Sequence, residues 1–169
     1  MPNSQRNPRP DARLEAETPP IRARAGFTLV DLVAALVIAA LLACVAVPSY
    51  RAYLLRAHRS EARAALLALA AAEESFHTSC NTYAAVLDNT TESSCEASSL
   101  GFPGTAGQDA YSLEVTSADA ESWAAVATAI DGGPQQADTR CNALGLNSTG
   151  NRSARKADGT ANHAECWNR

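Results

Sequence analysis

The sequence predicts an α+β fold: one long N-terminal helix over about residues 27–82, kinked near Pro48, packed on a small antiparallel sheet. Three observations predict it. An unbroken apolar run, FTLVDLVAALVIAALLACVAV, extends from Phe27 to Val47 with Asp31 as its one charge. Strong helix formers continue beyond Pro48, with Tyr50, Leu54, His58, Ala62 and Leu66 at four-residue steps. Farther on, Tyr111, Leu113 and Val115 alternate with polar residues, as a half-buried strand requires.

Residues 1–26 are rich in Pro and Arg and have no apolar periodicity, so they read as a disordered leader. Their five Arg against Asp11, Glu15 and Glu17 give +2, which leaves the rest of a chain of net charge −4 at −6. That acidic balance argues against nonspecific nucleic-acid binding, and no direct contact with nucleic acid is expected.

The apolar run is long enough to cross a hydrocarbon core as a helix. A buried helix of a soluble domain would need apolar partners around its whole circumference, which the remaining chain is too small and polar to supply. A secretory signal peptide would be cut after its apolar region, yet Pro48, Ser49 and Tyr50 lead into further helix. The arginines flanking the run balance one another. Cys80, Cys95, Cys141 and Cys166 all follow it, which suits an oxidising compartment and puts the N-terminus inside and the C-terminal part outside.

Pro48 lacks the donor for the bond to residue 44, and its ring crowds the preceding turn, which is the reason for expecting a kink. Residues 81–109 read as loop. The runs around Tyr111–Val115 and Trp123–Ile130 read as a hairpin, with Val126, Thr128 and Ile130 on one face and Trp123 on the other. A third strand is expected around Cys141–Leu146, followed by a Gly-, Asn- and Ser-rich loop that includes Arg152, Arg155 and Lys156 as a solvated basic patch.

Four cysteines allow three pairings. The most local joins Cys80 to Cys95 and Cys141 to Cys166; the second of these closes a loop worth about 3 kcal/mol on the loop-entropy model. A zinc site competes, but the spacings contain no CxxC pair. His58, His77 and His163 are scattered and read as surface residues, and Glu73 and Glu74 are adjacent on a helix and so face apart. No catalytic motif, metal set or cofactor motif stands out, so an enzyme is not expected.

The run RARAGFTLVDLVAALVIAALLACVAVPSY resembles the N-terminal signature of type IV prepilins: basic residues, Gly, Phe-Thr-Leu, an acid at the fifth mature position, an apolar helix and Pro-Ser-Tyr. The segment from TRCNALGLNSTG to ECW resembles the C-terminal region of PilE-like minor pilins of type IVa systems. The resemblance implies a leader over residues 1–26, a transmembrane and filament-core helix over 27–50, and an extracytoplasmic head over 51–169. It further implies cleavage by prepilin peptidase between Gly26 and Phe27, N-methylation of the Phe27 amine, and assembly roles for Asp31 and Pro48. Asp31 stands where the family mostly has Glu. A carboxylate in hydrocarbon costs roughly 2.5–3.5 kcal/mol, which points to a partner such as the Phe27 ammonium of a neighbouring subunit; alternatively Asp31 caps its own helix. Cys44, deep in the apolar run, reads as a small hydrophobe.

The function implied is that of a structural, minor subunit of a type IV pilus serving adhesion, twitching motility or DNA uptake. Its partners would be other pilin subunits, prepilin peptidase and the inner-membrane assembly machinery. The chain would reside in the inner membrane with its head in the periplasm, and in the surface pilus after assembly. Two alternatives share parts of this pattern: a pseudopilin of a type II secretion system, and a membrane-anchored ligand-binding module.

Overall fold

The computed structural model describes residues 27–89 and 92–168. The leader reading of residues 1–26 lies outside the described residues. In chain order come helix α1 (Leu29–Cys80), strands β1 (Thr105–Ala106), β2 (Tyr111–Ala118), β3 (Trp123–Ala129), β4 (Ala143–Asn147) and β5 (Arg152–Arg155), and a short helix α2 (His163–Trp167). The strands form one antiparallel sheet in sequence order. The chain divides into two units, residues 1–41 and 42–169, with the boundary inside α1.

In the first unit, the start of α1 is set by a reciprocal cap. The Asp31 carboxylate accepts from the Thr28 amide at 3.1 Å and from the Thr28 hydroxyl at 2.7 Å, while the Asp31 amide donates to that hydroxyl at 3.2 Å. These bonds satisfy amides that the first turn leaves without helical partners. Every described residue of this unit is exposed, including Leu29, Val30, Leu36 and Ile38. The helix is long and apolar enough to cross a membrane, with mean hydropathy 2.8 over its most apolar window.

In the second unit, α1 continues as helix past Pro48. It ends where Asn81 takes a left-handed φ of 56° and its amide returns to the His77 carbonyl at 2.8 Å. A short polar side chain tolerates that conformation and closes the helix. The buried stripe is His58, Ala62, Leu66, Leu69, Glu73 and Phe76, at steps of three or four that hold one face toward the sheet. His58 is therefore a core residue and not the surface histidine expected from sequence; its ring nitrogen meets Gln135 at 3.1 Å, which makes burial affordable for an imidazole.

The inner sheet face carries Tyr111 and Leu113 from β2, Trp123, Ala125, Ala127 and Ala129 from β3, Leu144 and Leu146 from β4, and Ala154 from β5. Small alanines on the central strand make room for the large residues of the helix stripe and neighbouring strands. The β2–β3 hairpin has the expected alternation, with a bulge between Val115 and Ser117. Its turn is closed by Asp119, which accepts from the Glu121 and Ser122 amides at 2.7 Å each; these bonds hold the Asp119 carboxyl below its ordinary range.

The stretch after β4 departs from the loop expectation, because β5 pairs with β4 and α2 follows. Gly145 opposes Ser153 so closely that a Cβ there would lie 2.4 Å from the Ser153 hydroxyl. The expected loop over 81–109 likewise contains β1, which edges the sheet beside β2.

Candidate functional site

The disulfides tie down the two ends of the head's irregular chain. Cys80, the last residue of α1, bonds to Cys95, and Cys141 bonds to Cys166 in α2. Phe27 is exposed, Asp31 caps its own helix as described, and Pro48 sits within α1; among the described residues the structure brings none of these three to another. Gly26 lies outside the described residues. Cys44 is an exposed free thiol.

The head's charges separate along the sequence and in space. Of the 14 Lys and Arg, five precede Phe27, and the other nine all fall in 51–63 or 140–169. The stretch 64–139 has none, against eleven Asp and Glu. The fold gathers the two basic stretches. Asp138 receives both an Arg59 Nε donation at 2.5 Å and an Nη2 donation at 2.6 Å, so the loop before Cys141 is clamped to α1 at Arg59. Gln135 reinforces the clamp, donating to Asp138 at 2.6 Å and to the Leu55 carbonyl at 3.3 Å. Asp138 also accepts from the Arg140 and Cys141 amides, so the carboxylate is fully used although buried. Tyr111, whose hydroxyl donates to the Cys141 carbonyl at 2.8 Å, lies alongside; burial pushes that hydroxyl well above its ordinary range.

The result is a cleft of about 530 Å³ lined by Arg56, Arg59, Arg63 and Arg140, with Asp138 and Glu165 as its acids. Arg140 pairs with Glu165 at 2.8 Å, and Arg63 donates to the Trp167 carbonyl at 3.2 Å. On β5, the Arg152 guanidinium lies 5.2 Å from the centre of the Trp167 ring, and the Trp167 indole N–H donates to the Ser153 carbonyl at 2.7 Å. Arg152 and Arg155 are thus strand residues on a fixed edge, not part of the solvated loop expected from sequence. Lys156 follows directly, with Asp158 nearby. At the other end of the sheet, His77 meets the Ala120 carbonyl at 3.0 Å, so the acidic β2–β3 turn sits by the C-terminal end of α1.

Sequence reading missed the clamp, because Arg59 and Asp138 are far apart in the chain. A usable signal was present in the run DTRC, where an Asp three residues before a half-cystine can collect the intervening amides. Among the described residues, no His, Cys, Asp and Glu are grouped to hold a metal ion.

No curated protein sequence matches the chain. A family model described as "Type IV minor pilin ComP, DNA uptake sequence receptor" matches residues 48–145. That span takes in the amphipathic part of α1, both hairpin strands and the clamp loop. With more than half of the chain matched, and a long helix packed on an antiparallel sheet beneath it, the chain belongs to this family of type IV minor pilins.

Proposed function

We propose that the chain is a minor subunit of a type IV pilus acting in DNA uptake, and that the basic edge Arg152, Arg155 and Lys156 touches DNA phosphates. The observation that carries this reading is the segregation of charge: a head of negative net charge keeps every Lys and Arg in two stretches that the fold joins. Net charge alone suggests no contact with nucleic acid, but phosphate contacts depend on the local field. The description of the matched family, which names a DNA uptake sequence receptor, supports the same reading and favours the pilus over a secretion pseudopilus. Arg152, braced on Trp167, loses little side-chain freedom on meeting a phosphate.

Assembly follows the steps implied by the prepilin signature. Prepilin peptidase cuts between Gly26 and Phe27, the Phe27 amine is methylated, and the apolar helix passes from the membrane into the filament core among other pilins. Asp31, already capping its helix through Thr28, presents its other oxygen to an incoming ammonium.

The test is fluorescence anisotropy of duplex DNA with the full chain in detergent, as salt is varied. Replacing Arg152, Arg155 and Lys156 together by Gln should weaken binding at least tenfold. It should also reduce the salt slope by about 0.9 per lost contact. Equal binding by wild type and variant, with unchanged unfolding midpoints, would remove DNA from this edge.

A further inference from the structure

We propose that the foot of the head binds the headgroup of an anionic phospholipid, with Arg56 and Arg140 closing on one phosphodiester and Tyr50, Arg51 and Tyr53 forming a collar at the interface. This rests on the reading that the apolar run is inserted in the membrane before assembly.

The spacing carries the argument. The helical part of the apolar run, Leu29–Val47, is about 28 Å long at 1.5 Å per residue, close to the thickness of the hydrocarbon core. The next turn sets Tyr50 and Tyr53 in the open, 63% and 62% exposed, although neither is needed to cover the core. Exposed tyrosines directly after an apolar span are the residues that settle at the level of lipid headgroups, where ring and hydroxyl are both satisfied. Arg51 lies beside them, exposed on another side of the helix. Arg56 comes about 13 Å beyond Val47, close enough for its side chain to reach back to the headgroup layer.

Charge then selects the lipid. Among the described residues, Arg51 and Arg56 pair with no carboxylate in a hydrogen bond or salt bridge. The cleft beside Arg56 sets four arginines against two carboxylates, and both carboxylates are already engaged, Asp138 by Arg59 and Glu165 by Arg140. An added anion there meets guanidinium groups and no uncompensated acid. A phosphodiester suits the paired donors of arginine, and the cleft has room for a glycerol headgroup. DNA also offers phosphodiesters, but the collar of exposed tyrosines lies at the level of the bilayer surface and favours lipid. Extraction into a filament would break these contacts, so anionic lipid would hold the unassembled subunit at one depth.

The full chain, reconstituted in nanodiscs of equal phosphatidylcholine and phosphatidylglycerol and released for native mass spectrometry, should retain phosphatidylglycerol in preference. An arginine near an anionic surface is worth roughly fivefold in binding, so Arg56→Gln with Arg140→Gln should cut the preference by an order of magnitude or more. Arg155→Gln with Lys156→Gln should leave it unchanged. Equal retention of both lipids by a chain that inserts overturns the proposal and leaves the anchor intact. A chain that fails to enter nanodiscs overturns the anchor reading and the proposal with it. Soluble glycerol phosphate displacing the lipid would make this a free-phosphate site, and loss of duplex DNA binding in the Arg56/Arg140 variant with lipid retention unchanged would assign the cleft to DNA; either result overturns the lipid assignment.

Discussion

From Leu29 to Val47, α1 is exposed and, apart from Asp31, apolar on all sides; from His58 to Phe76 it buries one stripe, apolar except for His58 and Glu73. The same element thus obeys two sets of rules. The later stretch finds its partner within the chain, because alternating strands supply an inner face, whereas the earlier one needs lipid or other helices to cover it. A helix apolar all round and exposed in its own chain is informative about surroundings, and a helix with a buried stripe is informative about the fold.

Breaking the comparison should give its largest effect in the buried stripe. Leu66 is fully buried, so Leu66→Ala should destabilise the head by about 3–5 kcal/mol. Leu36→Ala, at an exposed position of the apolar stretch, should shift the same transition by less than about 0.5 kcal/mol. Denaturant unfolding in detergent, followed by Trp123 and Trp167 fluorescence, reads the head alone, since both tryptophans belong to it. Comparable losses in the two variants would mean that the stretches fold as one unit.

A smaller loss tests the polar clamp. Asp138→Ala strips Arg59, Gln135 and two backbone amides of their acceptor, and should cost about 2–3 kcal/mol. Because the clamp also positions the chain entering Cys141, hydrogen exchange should rise across residues 135–141 before it rises in β2 and β3. Uniform exchange across the head would show that the clamp has no local role.

A more modest effect within the buried stripe should run in the opposite direction. Glu73 is fully buried, one carboxylate oxygen accepts from the Ala84 amide at 2.9 Å, and the other has no partner. Burial pushes this carboxyl above its ordinary value of 4.5; the Ala84 bond opposes the rise and Glu74 adds to it. A carboxyl with a raised folded pKa holds its proton more tightly when folded, so its contribution is fully present below about pH 4.5 and is lost as pH climbs through the raised value. Glu73→Gln should therefore stabilise the head by about 1 kcal/mol at pH 7 and by little at pH 4. Urea unfolding at both pH values checks it, and a loss at pH 7 would mean that ionised Glu73 is compensated.

The helix, the hairpin and the third strand were legible because each follows from local periodicity: steps of three and four from His58 to Phe76, alternation from Tyr111 to Val115. Strand β5 was not legible, since RSAR has only Ala154 to point inward. It is a strand because β4 offers an edge and Trp167 packs beside Arg152, both of them nonlocal facts. The candidate site divides similarly. Its arginines are visible as types and spacings, but their convergence depends on the Arg59–Asp138 clamp, which links positions that no local pattern connects. His58 reads as polar and exposed until Gln135 is placed beside it.

The separation of charges has a consequence for proteolysis. Enzymes that cut after Lys or Arg have no site between Arg63 and Arg140, whether that stretch is folded or not. Digestion by such an enzyme can trim the foot and the C-terminal edge, yet it must release the middle of the head as one large piece, still holding the Cys80–Cys95 bridge. In a peptide survey that relies on trypsin, this subunit would be represented almost entirely by its ends, and its abundance would be undercounted beside lysine-rich neighbours.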